Sequence, residues 1–370
     1  MQIAITGADG FIGTNLRVRL TELGHADVVS ITRSTSVAAL PGLLAKADFV
    51  FHLAGVNRSL DDSDFVVGNV GLTQRVCDAL AAAGRSAAVL FASSTQAALE
   101  NAYGRSKRDA EQVVRAYGRA AAATVYVARL TNVFGKWARP HYNSAVATFC
   151  HNIARDLPIR VNDATAPLQL LYVDDLMSAM VELLDHLPQP SEFFDVRPVY
   201  QTTVGNVADI VRGFAKSRDT LLTASVGAGL VRALYSTYMS HLPTEKFVYS
   251  LPRHADARGE FVEMLKTPDC GQFSYFTAHP GITRGEHYHH SKTEKFLVIQ
   301  GTARFEFRHI LTGDVHELVT QGRDAQVVET IPGWVHNITN VGDDELIVML
   351  WANEVFDRQK PDTFAMKVKP

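Results

Sequence analysis

Two groups of residues whose types and spacing could do chemistry stand in separate halves of the 370-residue chain. The first is a glycine loop, Gly7-Ala8-Asp9-Gly10-Phe11-Ile12-Gly13, with Tyr103-Gly104-Arg105-Ser106-Lys107 downstream. The second is His287-Tyr288-His289-His290, with Glu294 after it and His336 further on. The first set suits hydride transfer to a carbonyl; the second suits a metal held in a small β-barrel. A chain carrying both is expected to perform two chemical steps on one substrate.

The glycine triplet follows the apolar run Ile3-Ala4-Ile5 and opens a helical pattern through Leu16, Leu20 and Leu23. Glycines there let the turn close and let backbone N–H groups approach a pyrophosphate at the positive end of the helix. Gly7, Gly10, Phe11, Ile12 and Gly13 are therefore candidate cofactor-binding residues. An NAD site usually places an acid at the end of the second strand. This chain has Thr32-Arg33-Ser34 there instead. Arg33 can pair with a 2′-phosphate, so the expected cofactor is NADPH.

Tyr103 and Lys107 are four apart and share one face of a helix. A nearby ammonium stabilises a phenolate and is expected to bring the tyrosine toward neutral-pH acid–base work. Ser93 and Ser94 end a strand just upstream, with Thr95 next. One hydroxyl there could hold a substrate carbonyl while Tyr103 protonates the developing alkoxide.

In the second half, His287 and His289 alternate and so face one side of a strand. Glu294 follows a turn, and Pro332-Gly333-Trp334-Val335-His336 supplies a third imidazole. Three nitrogens and one oxygen suit Zn²⁺, with Fe²⁺, Mn²⁺ and Ni²⁺ as other occupants. His290 faces the other way on a regular strand. It is expected to support the ligands or touch substrate, unless a bulge lets it replace one of them.

The elements that must position these residues differ between the halves. Short apolar runs at 3–5, 27–32, 48–54, 87–92 and 123–130 alternate with helical patterns at about 70–84 and 104–121, which predicts a doubly wound parallel α/β sheet of Rossmann type. From about Phe247 the helical periodicity fades. Strand-like runs appear at 259–264, 272–276, 295–299, 303–307, 326–328 and 345–351, which predicts an all-β barrel or sandwich. The expected domains are 1–244 and 245–370.

Apolar residues make up 46% and charged residues 20%, and the net charge is −3. This is the composition of an ordinary globular protein and offers no basic footprint for nucleic acid. Cys77, Cys150 and Cys270 are far apart and odd in number, which fits reduced thiols in the cytoplasm. No secretory signal and no membrane-spanning stretch is read from the sequence.

The first 240 residues resemble the extended short-chain dehydrogenase/reductase family of nucleotide-sugar enzymes. The resemblance rests on the glycine loop with Thr6 before it, His52-Leu53-Ala54-Gly55, Asn69, Ser93-Ser94, the Tyr103–Lys107 segment, Arg129-Leu130-Thr131-Asn132-Val133-Phe134-Gly135 and Tyr172-Val173-Asp174-Asp175-Leu176. It implies Ser94, Tyr103 and Lys107 as a catalytic triad, with Lys107 also touching the nicotinamide ribose. It implies Leu53 and Ala54 beside the cofactor and Asn132 near the sugar nucleotide. The segment between Ser94 and Tyr103 is shorter than the family's, so Ser93, Ser94 and Thr95 all stay open as the hydroxyl. The region from 245 resembles a cupin, with His287, His289, Glu294 and His336 as the implied ligands. Asp256-Ala257-Arg258-Gly259 resembles the sugar-nucleotide epimerase cupins, which implies Arg258 at a nucleotide phosphate.

As a whole the chain resembles the bifunctional capsular polysaccharide enzymes that form UDP-2-acetamido-2,6-dideoxy-β-L-talose. Phe134-Gly135-Lys136-Trp137, Tyr142-Asn143-Ser144, Gly271-Gln272-Phe273-Ser274 and Arg284-Gly285-Glu286-His287-Tyr288-His289 carry that resemblance. It implies a homodimer in which a zinc cupin epimerises C3 of a UDP-4-keto-6-deoxy-HexNAc and the reductase domain then reduces C4 with NADPH. The chemistry is coherent. A ketone at C4 acidifies the C3 hydrogen, a metal can stabilise the enolate, and reduction afterwards traps the product. Tyr275, Tyr288, His290 and Lys292 all stay open as the C3 acid or base. Two other readings are a single-step reductase with a cupin used for dimerisation or sugar binding, and a non-catalytic nucleotide-binding first domain.

Overall fold

The computed structural model describes the chain except residues 188–191, 253, 257–258, 262–263, 266, 268–270, 355–358 and 370, with backbone alone for 254–256, 259–261 and 272. Cys270 and Arg258 lie outside the described residues. By packing, the chain divides into two units, 1–134 with 168–201 and 135–167 with 202–370.

In the first unit, β1 (Ile3–Thr6), β3 (Phe49–His52) and β4 (Ala88–Ser94) are buried at every position. Strands covered on both faces read as continuous apolar runs, which is why these segments form a parallel sheet. With β2 (Val28–Ile31) and β5 (Val125–Leu130) the order is β2-β1-β3-β4-β5, parallel throughout. The chain leaves β1 for one side and returns on the other, so the crevice at the carboxyl end of β1 is the switch point where such sheets bind ligands. The glycine loop lies there and leads into α1 (Phe11–Glu22).

The helix Ala102–Ala121 starts on Asn101, whose side chain accepts from the Gly104 N–H at 2.7 Å. Its buried stripe runs through Gly104, Lys107, Glu111 and Val114 at helical spacing. A lysine and a glutamate on that stripe cost free energy unless partnered, which makes them worth following.

The second unit contains two five-stranded sheets. One orders Gln272–Ala278, Leu346–Ala352, Glu294–Gln300, Gln326–Glu329 and Val248–Ser250. The other orders Val315–Gln321, Thr302–His309, Trp334–Asn340, Thr283–Tyr288 and Phe364–Ala365. All their pairings are antiparallel. Phe296 of the first sheet meets Phe305 and His336 of the second, at ring distances of 5.8 and 6.4 Å.

The division by packing differs from the boundary expected at 244/245. Helices Ala145–Ala154, Val204–Thr220 and Gly229–Ser240 belong with the sheets of the second unit. The reason is partly electrostatic. Arg218 of the second helix pairs with the buried Glu329 and donates to the Lys246 carbonyl at 2.6 Å. Lys295 pairs with the same carboxylate and lies 3.2 Å from the Tyr249 hydroxyl. Removing one member of such a buried set leaves an uncompensated charge, so the helix and the sheet are held as one body. Among the described residues no helix is long and apolar enough to cross a membrane.

A Cβ added at Gly13 would stand 2.2 Å from the Gly7 carbonyl oxygen and 2.8 Å from Ala8 Cα. Gly13→Ala is therefore expected to lower stability by about 1–3 kcal/mol and to weaken dinucleotide binding. Urea unfolding with a parallel binding titration checks this; wild-type values in both would contradict the packing argument.

Candidate active sites

Gly7 has φ +68°, and a Cβ on it would lie 2.9 Å from the backbone of Ala54. The loop thus closes against the end of β3, where Leu53 and Ala54 are half-buried. The Gly10 N–H donates to the Gly7 carbonyl at 2.9 Å, and the Ala8 N–H to Ile31 at 3.2 Å. The amino end of α1 has no side-chain cap and no acid in its first turn. Its backbone donors, from Phe11 and Ile12 onward, are what an anion needs. Arg33 lies two residues past β2 and is exposed.

Beneath the loop runs a buried polar string of Thr6, His52, Thr73 and Asn69, of which Thr73 lies outside every sequence motif. Thr6 Oγ1 accepts from the Ala54 N–H at 3.2 Å and lies 2.6 Å from His52 Nδ1. Thr73 gives its hydroxyl proton to the Asn69 carbonyl at 2.6 Å and stands 2.9 Å from His52 Nε2. His52 must then donate from Nε2 and accept at Nδ1, which fixes its tautomer. Burial, with Lys107 nearby, pushes its pKa down to about 3. It is a neutral connector.

Tyr103, Ser94 and Lys107 come together at the carboxyl end of β4. The Tyr103 phenol lies close enough to Ser94 to feel its hydroxyl, and the Ser94 oxygen accepts from the Gln96 N–H at 3.2 Å. Ser93 is committed elsewhere: its hydroxyl donates to Glu111, which also takes Arg129 in two bonds of 2.9 and 2.8 Å. Thr95 is exposed. Of the three hydroxyls, that of Ser94 is the one beside the Tyr103 phenol among the described residues. Lys107 Nζ is buried and donates to the Ala92 carbonyl at 2.7 Å. Burial, partly offset by Glu111, lowers its pKa to about 8.

One expectation is corrected. The Tyr103 pKa is raised rather than lowered, because burial outweighs the Ser94 hydroxyl. The phenol stays protonated near neutral pH, which suits a proton donor. Asn132 is exposed, two residues past the Leu130 that pairs with Ser94, with its amide on the Gln169 carbonyl at 3.1 Å.

In the second unit, His287, His289, Glu294 and His336 converge, with one ligand atom from each all within 4.8 Å of one another. Gly285 (φ +101°) and Glu286 (φ +60°) form an irregularity in Thr283–Tyr288 just before His287. That bulge re-aims His287 toward His336 of the neighbouring strand. Glu294 is buried, with Oε2 at 3.2 Å from His289 Nε2 and 3.5 Å from His336 Nε2. Burial opposes the charge of Glu294, yet His289, His336 and Lys292 hold its carboxyl well below the usual range. Burial and the neighbouring imidazoles push His287 down to about 3, leaving a neutral ring.

This donor set fits a cation. His289 Nδ1 contacts the Asp362 carbonyl, which can only accept, so the ring proton sits on Nδ1. Nε2 then aims a lone pair at a carboxylate oxygen unless a proton or a metal lies between. Neither ring nitrogen of His336 has an aligned hydrogen-bond partner among the described residues. Three imidazoles and one carboxylate are a ligand set for Zn²⁺ or a similar ion.

His290 lies just past the end of the strand Thr283–Tyr288. Its ring packs on Phe364 at 5.0 Å and Tyr288 at 5.6 Å. Tyr275 is 73% exposed. Of the four residues open as a C3 acid or base, Lys292 brings its ammonium to 3.3 Å from Glu294 Oε1.

These features agree with comparisons to known proteins. A model of the NAD dependent epimerase/dehydratase family matches residues 3–194, and the chain belongs to that family. A polysaccharide biosynthesis C-terminal domain model matches residues 254–364. A relative from Pseudomonas aeruginosa, UDP-2-acetamido-2,6-beta-L-arabino-hexul-4-ose reductase, is 54% identical over 100% of this chain and 99% of its own length. The capsular polysaccharide assembling protein CapF of Staphylococcus aureus is 40% identical over the full length of both chains, with a TM-score of 0.68. UDP-glucuronic acid 4-epimerase of Bacillus cereus, in complex with NAD, shares the fold over 58% of this chain at 19% identity and a TM-score of 0.52.

Lys107 yields a stability prediction. Its folded pKa of about 8 lies below the ordinary value of 10.5, so the folded state binds the proton less tightly than the unfolded chain. Stability should rise with pH between about 8 and 10.5. Lys107→Met should remove that cost, stabilising the protein at pH 7 by about 1–3 kcal/mol net of the lost Ala92 bond while abolishing ketone reduction. Denaturant titrations at several pH values test it; a destabilised variant, or one with a flat pH difference, would contradict it.

Proposed function

We propose that the chain is a bifunctional nucleotide-sugar enzyme acting on a UDP-4-keto-6-deoxy-HexNAc. The second unit, a cupin in this reading, epimerises C3, and the first reduces the C4 ketone, giving UDP-2-acetamido-2,6-dideoxy-L-talose on the route to N-acetyl-L-fucosamine. The observation that carries the proposal is the convergence of three imidazoles on the buried Glu294 in a chain that also holds a Ser94–Tyr103–Lys107 arrangement. The near full-length likeness to a UDP-sugar reductase supports the substrate class.

When bound, NADPH supplies the hydride and a divalent cation supplies positive charge beside the ketone oxygen. The chain's own groups do the rest. Gly7, Gly10, Phe11, Ile12 and Gly13 receive the pyrophosphate, Leu53 and Ala54 flank the dinucleotide, and Arg33 pairs with its 2′-phosphate. Lys107 holds the nicotinamide ribose. Ser94 orients the C4 oxygen and Tyr103 gives it a proton, for which its raised pKa suits it. His287, His289, Glu294 and His336 hold the cation. Asn132 and His290 are assigned to substrate, as is Arg258 at the nucleotide phosphate.

The relative's name speaks of reduction alone, which favours as second reading a single-step reductase. Deuterium uptake at C3 in D₂O separates the two. Tyr103→Phe should stop reduction and keep exchange, whereas His289→Ala should cut exchange by about a hundredfold or more. A wild-type protein that reduces the ketone without ever exchanging C3 would establish the second reading.

A further inference from the structure

A residue far from every sequence motif holds the candidate metal ligands in place. The strand Phe364–Ala365 pairs with Thr283–Tyr288, setting Ala365 opposite His287 and Phe364 opposite Tyr288. Just before it, Asp362 meets the segment that joins His289 to Glu294. Its carboxylate accepts the backbone N–H groups of His290, Ser291 and Lys292 at 2.9, 2.7 and 2.7 Å, and the Ser291 hydroxyl at 3.0 Å. Its carbonyl accepts from His289 Nδ1. The chain beyond is tied down as well. Val368 N–H donates to Glu286 Oε2 at 2.8 Å, and Arg308 holds the Lys367 and Val368 carbonyls at 2.8 and 2.7 Å.

We propose that Asp362 is a positioning residue for a divalent cation: its carboxylate fixes the 290–292 backbone, and that contact sets its carbonyl on His289 so that Nε2 faces the ligand cluster. The inference rests on the metal reading above and adds the device that prepares the site. Without the carbonyl the imidazole can carry its proton on either nitrogen and turn. Three successive N–H groups on one carboxylate are a rigid cradle, so the carbonyl position follows from the side chain. The C-terminal segment thereby becomes part of the metal site although it supplies no ligand.

The test uses the full-length protein stripped of metal and titrated with Zn²⁺ against a chromophoric chelator, with the His289 tautomer followed by ¹⁵N NMR in the metal-free state. Asp362→Asn and Asp362→Ala should bind Zn²⁺ about 10–100-fold more weakly, and their His289 proton should spread over both nitrogens. Wild-type Zn²⁺ affinity in both variants overturns the inference. Weakened affinity with the proton still fixed on Nδ1 also overturns it, since Asp362 would then act through general stability alone. A wild-type protein that takes up no Zn²⁺ overturns the metal reading beneath it and is recognisable without any variant.

Discussion

The arrangement of the second unit depends on one buried carboxylate surrounded by lone pairs. Glu294 is 6% exposed and lies within hydrogen-bond or near-contact distance of two imidazoles and an ammonium. A charge buried to that degree persists only when compensated. The strand that carries it solves two such problems at once. Glu294 points to the cluster, while Lys295, one residue on, points to the opposite face and the pair Arg218–Glu329. A register slip of one residue would exchange the two and strand both charges, so the pairing of Glu294–Gln300 with Leu346–Ala352 is tightly specified.

The first unit follows the same logic with different partners. Lys107 and Glu111 share the buried stripe of Ala102–Ala121, and each has fixed acceptors or donors on the adjacent strands. Glu111 occupies Ser93 and Arg129, which leaves Ser94 to the phenol of Tyr103. His52 links the glycine loop's strand to Thr73 and Asn69, so the floor of the switch-point crevice is a connected polar string. Polar groups in that number under a glycine loop cost stability that an inert sheet would not bear.

Much of this was legible in the sequence where chemistry and local pattern coincide. The glycine loop, Tyr103 and Lys107, and the four residues His287, His289, Glu294 and His336 all fall in short motifs whose spacing follows helix or strand periodicity. The strand runs at 272–276, 295–299, 303–307 and 326–328 lie within observed strands, and the run at 345–351 overlaps Leu346–Ala352. What stayed hidden depends on contacts distant in sequence. Val315–Gln321 was not read as a strand, because His316-Glu317 and Leu318-Val319 stand in like pairs and break the apolar–polar alternation that marks a half-buried strand. That helices such as Val204–Thr220 pack with the sheets of the second unit has no local trace in the sequence, because ion pairs such as Arg218 with Glu329 join residues 111 apart. The direction of the Tyr103 shift was misjudged because burial, which outweighs every other influence on that phenol, cannot be read from a four-residue spacing. Asp362 escaped for the same reason, 73 residues from the histidine it holds.

In the proposed reaction the cluster around Glu294 decides the configuration at C3. The most direct measurement is to strip the protein of divalent metal, supply a UDP-4-keto-6-deoxy-HexNAc with NADPH, and determine the C3 configuration of the reduced sugar by NMR, with and without restored Zn²⁺. Inverted C3 in the restored sample and retained C3 in the stripped one is the predicted result. Inversion to the same extent in both would contradict the account.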